Sequence, residues 1–280
     1  MENITTIAET PEAAQRLKRD IVAAAGLLSM SEARYLVDAY YQIQENRKAA
    51  ANQVRALAES REPHSVIAWL LDQNETLEKQ IRRALDVWTD SMPAAVWAKG
   101  IVGIGPVISA GLAAHIDIAR CPTVGRIWRF AGLDPTSVWL PKTKRPWNAE
   151  LKTLCWKIGE SFVKVSGREG DFYGKLYAQR KAAEQARNDA GEFADQARGQ
   201  LERFAIGKNT EAYKWYAQGK LPPAHIYARA KRWAVKLFLA HYHHVAWTLA
   251  TGHEPPKPYV IAHLDHVDFI TPPNFPEASA

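Results

Sequence analysis

"SVIAWLLDQNETLEKQIRRALDVWTD" (residues 65–90) places Ile67, Leu70, Leu77, Ile81, Ala84 and Trp88 in one register, with the polar Asn74 among them. The steps alternate between three and four residues, so all seven side chains share one helix face and form a heptad seam. Upstream, Ser31-Glu32 opens a second long helical pattern that runs to about Ser60, and Arg61-Glu62-Pro63 breaks it. Two long helices joined across a proline turn predict an antiparallel helical hairpin. Its seam has two candidate partners. One is the protein's own core; the other is a second copy, giving a homodimer through residues 31–91.

Helix signals also dominate outside this pair. Thr10-Pro11-Glu12 combines a cap, an N1 proline and a first-turn acid, so a helix start is expected there. Residues 181–204, "KAAEQARNDAGEFADQARGQLERF", read as one polar, exposed helix. Residues 219–252 hold an amphipathic helix after the Pro222-Pro223 stop. The Pro-punctuated tail from His253 is expected to lie extended against the body. No sustained run alternates with the period of two that a strand requires, and no internal repeat is found. The predicted fold class is therefore all-α, in three regions. These are a coiled-coil-like region at 1–92, a helix-hairpin-helix region at 93–170, and a helical region with the Pro-rich tail at 171–280.

With 280 residues, 47% of them apolar, the chain can bury a sizeable core. The N-terminal "MENITTIAET" has neither the basic start nor the apolar stretch of a signal peptide. The longest uncharged run, Ile101–Ala114, is shorter than the roughly 20 apolar residues of a membrane span. A soluble, cytoplasmic protein without a membrane partner is expected. Cys121 and Cys155 have no framework spacing and read as reduced, buried thiols.

That uncharged run belongs to "AKGIVGIGPVISAGLAAHI" (98–116). Glycine tolerates positive φ, and a proline suits the first turn of the helix that follows. A short helix through Val96, Trp97 and Ile101, the Gly103-Ile104-Gly105-Pro106 turn, and a helix through Val107, Ile108, Gly111, Leu112 and Ile116 make a helix-hairpin-helix. Such a turn offers backbone N–H groups at a helix N-terminus, where a phosphate fits and no base is read. Gly103, Ile104, Gly105 and Val107 are the candidate phosphate contacts. The alternative is a tight packing turn.

Charge favours the phosphate reading. The chain's formal charge is +6 and its pI about 9.2. Between Trp139 and Arg187 stand eleven Lys or Arg and five acids, an excess of +6 that equals the whole chain's. Lys142, Lys144, Arg145, Lys152 and Lys157 would surround the turn with positive charge. Trp139 and Trp147 flank the basic loop and are candidates for stacking on unpaired bases. Trp156 shares a helix with Leu151, Cys155, Ile158 and Phe162 and is expected in the core.

"GIVGIGPVISAGLAAHIDIARCPTVGRIWRFAGLDP" (100–135) resembles the C-terminal transposase domain of the bridge-RNA-guided insertion-sequence recombinases. The likeness lies in the Gly-Ile-Gly-Pro turn, the small-residue helix with Ala113-Ala114, and the spacing to Phe130-Ala131-Gly132-Leu133-x-Pro135. It spans about residues 97–162, and the long helices before it are similar in kind to that family's coiled coil. Members join this domain to an N-terminal RuvC-like nuclease domain, which is not found here, and use a serine nucleophile shortly after Gly-Leu-x-Pro. In this chain Leu140-Pro141 stands where Ser-Gly is expected, and Ser137, the candidate nucleophile, falls about three residues early. The resemblance implies nucleic-acid binding, to DNA or RNA, retained in a mobile-element protein with the chemistry lost. Two alternatives are a serine recombinase acting with a RuvC-like partner in trans, and a helical interaction protein that binds no nucleic acid.

His241 and His244 stand one turn apart near the end of the last long helix, and His263 and His266 lie in the tail. Together they are the candidate ligands for Zn²⁺. The competing reading, a His-rich packing surface between helix and tail, leaves the expectation at no metal and no cofactor. No Walker loop and no catalytic-triad signature is present.

Overall fold

The computed structural model describes residues 17–60, 65–257 and 269–275. The expected helix start at Thr10-Pro11-Glu12, the break at Arg61-Glu62-Pro63 and the tail residues His263 and His266 lie outside them. The described residues form eleven α-helices and no strand, so the fold is all-α. They are α1 (Arg19–Ala24), α2 (Met30–Ser60), α3 (Ser65–Thr89), α4 (Pro93–Lys99), α5 (Pro106–His115), α6 (Val124–Phe130), α7 (Ala149–Val165), α8 (Phe172–Asp189), α9 (Ala194–Arg203), α10 (Glu211–Ala217) and α11 (Pro223–Thr251).

α2 starts one residue ahead of the expected Ser31, because Ser29 caps it. The Glu32 amide donates to Ser29 Oγ at 3.3 Å, and the Ser29 amide donates to the Glu32 carboxylate at 2.8 Å, a reciprocal capping box. α3 runs back along α2. Trp88 Nε1 donates to the Leu28 carbonyl at 2.8 Å, and further along Glu78 accepts from Tyr40, Gln44 and Arg47. The heptad seam is buried only in part. Trp88 is buried against α2 and α5 with Ile81 beside it, and Ala84 is buried too, whereas Leu70 and Leu77 remain 43% and 40% exposed.

The small-residue helix is explained by its position, because α5 is packed on three sides. Ala110 and Ala114 meet the α2–α3 pair, and Ser109 Oγ donates to the Ala95 carbonyl of α4 at 2.7 Å. Gly111 faces α7 so closely that a Cβ there would lie 2.7 Å from Leu154 Cδ2. Larger residues at these positions would hold the layers apart.

The main core joins α4 to α8 and α11. Its centre is Phe162, Tyr173 and Phe238, with ring centroids 4.8 to 5.5 Å apart. Helices on both sides of the expected region boundaries at 92 and 170 contribute to shared cores. The single polar helix expected at 181–204 is corrected to two. Gly191, at φ +82°, turns the chain between α8 and α9. The segment is also not wholly exposed. Glu184 is buried with Arg180 and Arg229 around it, Asn188 is buried on the Leu221 backbone, and Phe193 and Ala197 join a small core with α10 and α11. Of the tail, residues 269–275 do lie on the body: Trp97 Nε1 donates to the Pro273 carbonyl at 2.8 Å. Cys121 and Cys155 are both buried and unpaired. No helix among the described residues is long and apolar enough to cross a membrane.

Candidate functional site

The turn between α4 and α5 has the expected outline and a different division of labour. Gly103 needs its glycine: φ is +98°, and a Cβ would meet Ser161 Oγ and Val165 Cγ2 at 3.2 Å. Its carbonyl accepts from Ser161 Oγ, which ties the turn to α7. The Ile104 amide is spent on the Ile101 carbonyl at 2.9 Å, and its side chain is buried, so Ile104 is withdrawn as a phosphate donor. Gly105 adopts φ −96° and ψ 178°, an extended conformation open to any residue, and a Cβ there would meet nothing within 4 Å. Positive φ in this turn is therefore confined to Gly103.

What Gly105 does is open the first turn of α5 onto a groove. The groove encloses about 550 Å³ between α2, α3, α5 and α7. The N–H groups at the start of α5 have no intrahelical acceptors, and the helix dipole puts partial positive charge there. Lys48, Arg82, Lys157 and Lys164 line the same groove, with the acids Glu45 and Glu160. Four cations less two carboxylates leave +2. Glu45 is engaged by Lys48 at 2.8 Å, and Glu160 by Lys231 of α11. Lys157 Nζ lies 3.8 Å from the Tyr41 ring centroid, a cation–π contact between two residues that line the groove. Burial, opposed by Glu45 and reinforced by Lys48 and Lys164, holds Lys157 below the ordinary lysine value.

The structure thus brings Gly105, Val107 and Lys157 together, with Val107 largely buried. The remaining cations lie on the loop from Asp134 to Asn148 and the start of α7. Lys142, at φ +61°, and Lys144 are exposed on the loop. Arg145 stacks over Trp139 at 4.8 Å, and Lys152 Nζ lies 4.0 Å from the Trp147 ring centroid. Trp139 and Trp147 meet edge to face, their centroids 6.2 Å apart. Trp147 also covers Gly132, where a Cβ would fall 2.8 Å from the indole.

Trp156 is a correction. Leu151, Cys155, Ile158 and Phe162 are buried as expected, but Trp156 points off that face and is 58% exposed. The sequence reading also missed Lys48, Arg82 and Lys164, which come from helices far apart in the chain. The α7 spacing Lys157–Lys164, one face of two turns, is the part of that signal a sequence carries.

Ser137 belongs to a turn: its amide donates to the Asp134 carbonyl at 3.2 Å. His241 is committed at both ring nitrogens. A carbonyl only accepts, so Nε2–H donates to Ile270 at 2.7 Å, and Nδ1 accepts from the Tyr173 hydroxyl at 2.7 Å. Burial, as the largest influence, drives its pKa down to about 4. His244 instead packs edge-on to Phe275, with centroids 6.1 Å apart. No group of three potential ligands converges among the described residues. Comparison with known protein families, with curated proteins and with solved structures finds no match.

Proposed function

We propose that this protein binds nucleic acid through the groove at the start of α5. One observation carries the reading: the first turn of α5, Gly105 to Ile108, and the cations Lys48, Arg82, Lys157 and Lys164, drawn from three other helices, line one channel. That combination suits a phosphate backbone and carries no base-reading element. The exposed basic loop at Lys142, Lys144 and Arg145 extends the positive surface. The resemblance of residues 97–162 to a transposase domain supports descent from a mobile-element protein. Leu140-Pro141 in place of Ser-Gly, and the turn role of Ser137, support a non-catalytic one. Two buried, unpaired cysteines fit a reducing, cytoplasmic setting.

The test is fluorescence anisotropy with labelled oligonucleotides over a salt series. If four to six cations engage phosphates, the log–log slope for duplex DNA is on the order of −3 to −5. Lys157→Glu with Lys164→Glu weakens binding to every sequence alike and flattens the slope by about 1 for each phosphate no longer neutralised. A slope near zero, or a double variant that binds as the wild type does, refutes the reading.

A second reading rests on the exposed half of the seam. Leu70 and Leu77 lie on one face of α3, on either side of the buried Asn74, and offer apolar contacts to a second copy, which would make a dimer with two grooves.

A further inference from the structure

Between α7 and α11 lies a second cavity, of about 320 Å³, which shares Trp156 with the channel at α5 and has its other walls on residues of the α6–α7 loop, α7 and α11 that do not line that channel. Small-molecule sites run from roughly 300 to 1,000 Å³, so this one suits a single flat ring system. It is lined by apolar Cys155, Val235 and Leu133, and one wall is Trp156. Gly159 lets α11 close on α7: a Cβ there would lie 2.8 Å from Lys231 Cγ and 3.2 Å from Val235 Cγ2.

The polar lining is cationic. Lys152, Lys231 and Arg232 line the cavity without a carboxylate among the lining residues. Lys231 is paired with Glu160, but Lys152 and Arg232 form no ion pair among the described residues. Burial, together with the positive charges of Arg145 and Arg232, holds Lys152 below the ordinary lysine value. Cations crowded in this way are relieved by an anion. The aromatic row continues beyond the cavity, with Trp139 48% exposed and Trp147 beneath Lys152. An apolar slot with an indole wall and unpaired cations calls for an occupant that is flat, aromatic and anionic at one edge. A nucleotide with a free base face meets that description. A duplex interior does not, because its base faces are stacked on one another.

We propose that this cavity takes an unpaired nucleobase, stacked on Trp156 with its phosphates on Lys152 and Arg232, so that single strands bind in preference to duplex. The proposal rests on the nucleic-acid reading above and adds the form of the ligand.

The test uses the full chain and three labelled probes of about 12 nucleotides: a single strand, the same strand with abasic sites, and its duplex. The normal single strand binds at least about tenfold more tightly than the other two and quenches tryptophan fluorescence. Trp156→Ala costs about five- to a hundredfold in single-strand affinity, the range for removal of one base stack, and Trp156→Phe restores most of it. Ala228→Leu puts a larger side chain into the cavity from α11 and removes the single-strand preference while keeping the charge. Far-UV circular dichroism confirms that each variant is folded, and if Trp156→Ala is not, Ala228→Leu and Trp156→Phe decide. Equal binding of all three probes with a steep salt slope overturns the base pocket and leaves the phosphate groove standing. No binding of any probe overturns both.

Discussion

Two glycines a residue apart give the sharpest test of how the α4–α5 turn works, because their roles separate stability from binding. At Gly103 an alanine would be forced to φ +98°, at about 1–2 kcal/mol. Its Cβ would sit 3.2 Å from both Ser161 Oγ and Val165 Cγ2, so α7 must yield, at about 1 kcal/mol. The stiffer unfolded chain returns about 0.5–1 kcal/mol. Gly103→Ala is thus expected to cost about 1–2.5 kcal/mol, read as a lower urea midpoint at unchanged slope. At Gly105 the backbone is extended and the space beside it empty, so Gly105→Val changes stability by about 0.5 kcal/mol or less. Its two methyl groups nevertheless stand at the mouth of the groove, where a phosphate must approach the α5 amides. Binding falls by about 1–3 kcal/mol, comparable to the loss of charge-assisted hydrogen bonds. Urea melts and anisotropy titrations on the same preparations read both effects. If Gly103→Ala is as stable as the wild type, the turn is not held as described. If folded Gly105→Val binds normally, the helix end makes no contact with the ligand.

Acid should weaken the fold through His241. Its pKa is about 4 in the folded protein, against 6.5 when unfolded, so the stability it contributes is complete above pH 6.5 and is lost as pH falls through 4. The difference of 2.5 corresponds to about 3 kcal/mol at about 1.36 kcal/mol per pH unit. His241→Gln, which keeps one donor and one acceptor, flattens urea midpoints measured between pH 7 and 4; an unchanged pH profile disproves the assignment. Trp88→Ala removes a side chain that is 1% exposed and its bond to Leu28, at about 3–5 kcal/mol in a denaturant melt, and a loss under 1 kcal/mol would contradict its central place between α2, α3 and α5. Leu70→Glu with Leu77→Glu converts a dimer to a helical monomer by light scattering. A wild type that is monomeric at high concentration removes the dimer reading.

Local patterns in the sequence determine the helices, because a helix is set by contacts three and four residues apart. The heptad spacing of residues 67–88, the proline at the start of α5 and the Pro222-Pro223 stop before α11 each mark an element that is present. The spacing of Leu151, Cys155, Ile158 and Phe162 likewise names the buried face of α7. The positive φ at Gly103 follows from a glycine turn between helices, while Gly105 is extended, as proline at 106 asks of the residue before it.

Tertiary structure decided which partner each face meets. Trp156 stands roughly 140° around α7 from Leu151, so helix period already sets it off the buried face; the packing of α11 decides that it borders a cavity. Lys48, Arg82, Lys157 and Lys164 are spread over more than a hundred residues of chain and share a groove only because α2, α3 and α7 pack around α5. Helix periodicity reports the angle of a side chain about its own axis. It carries no information about the neighbouring axis, and the groove, the cavity and the fate of each half of the seam are all set between axes.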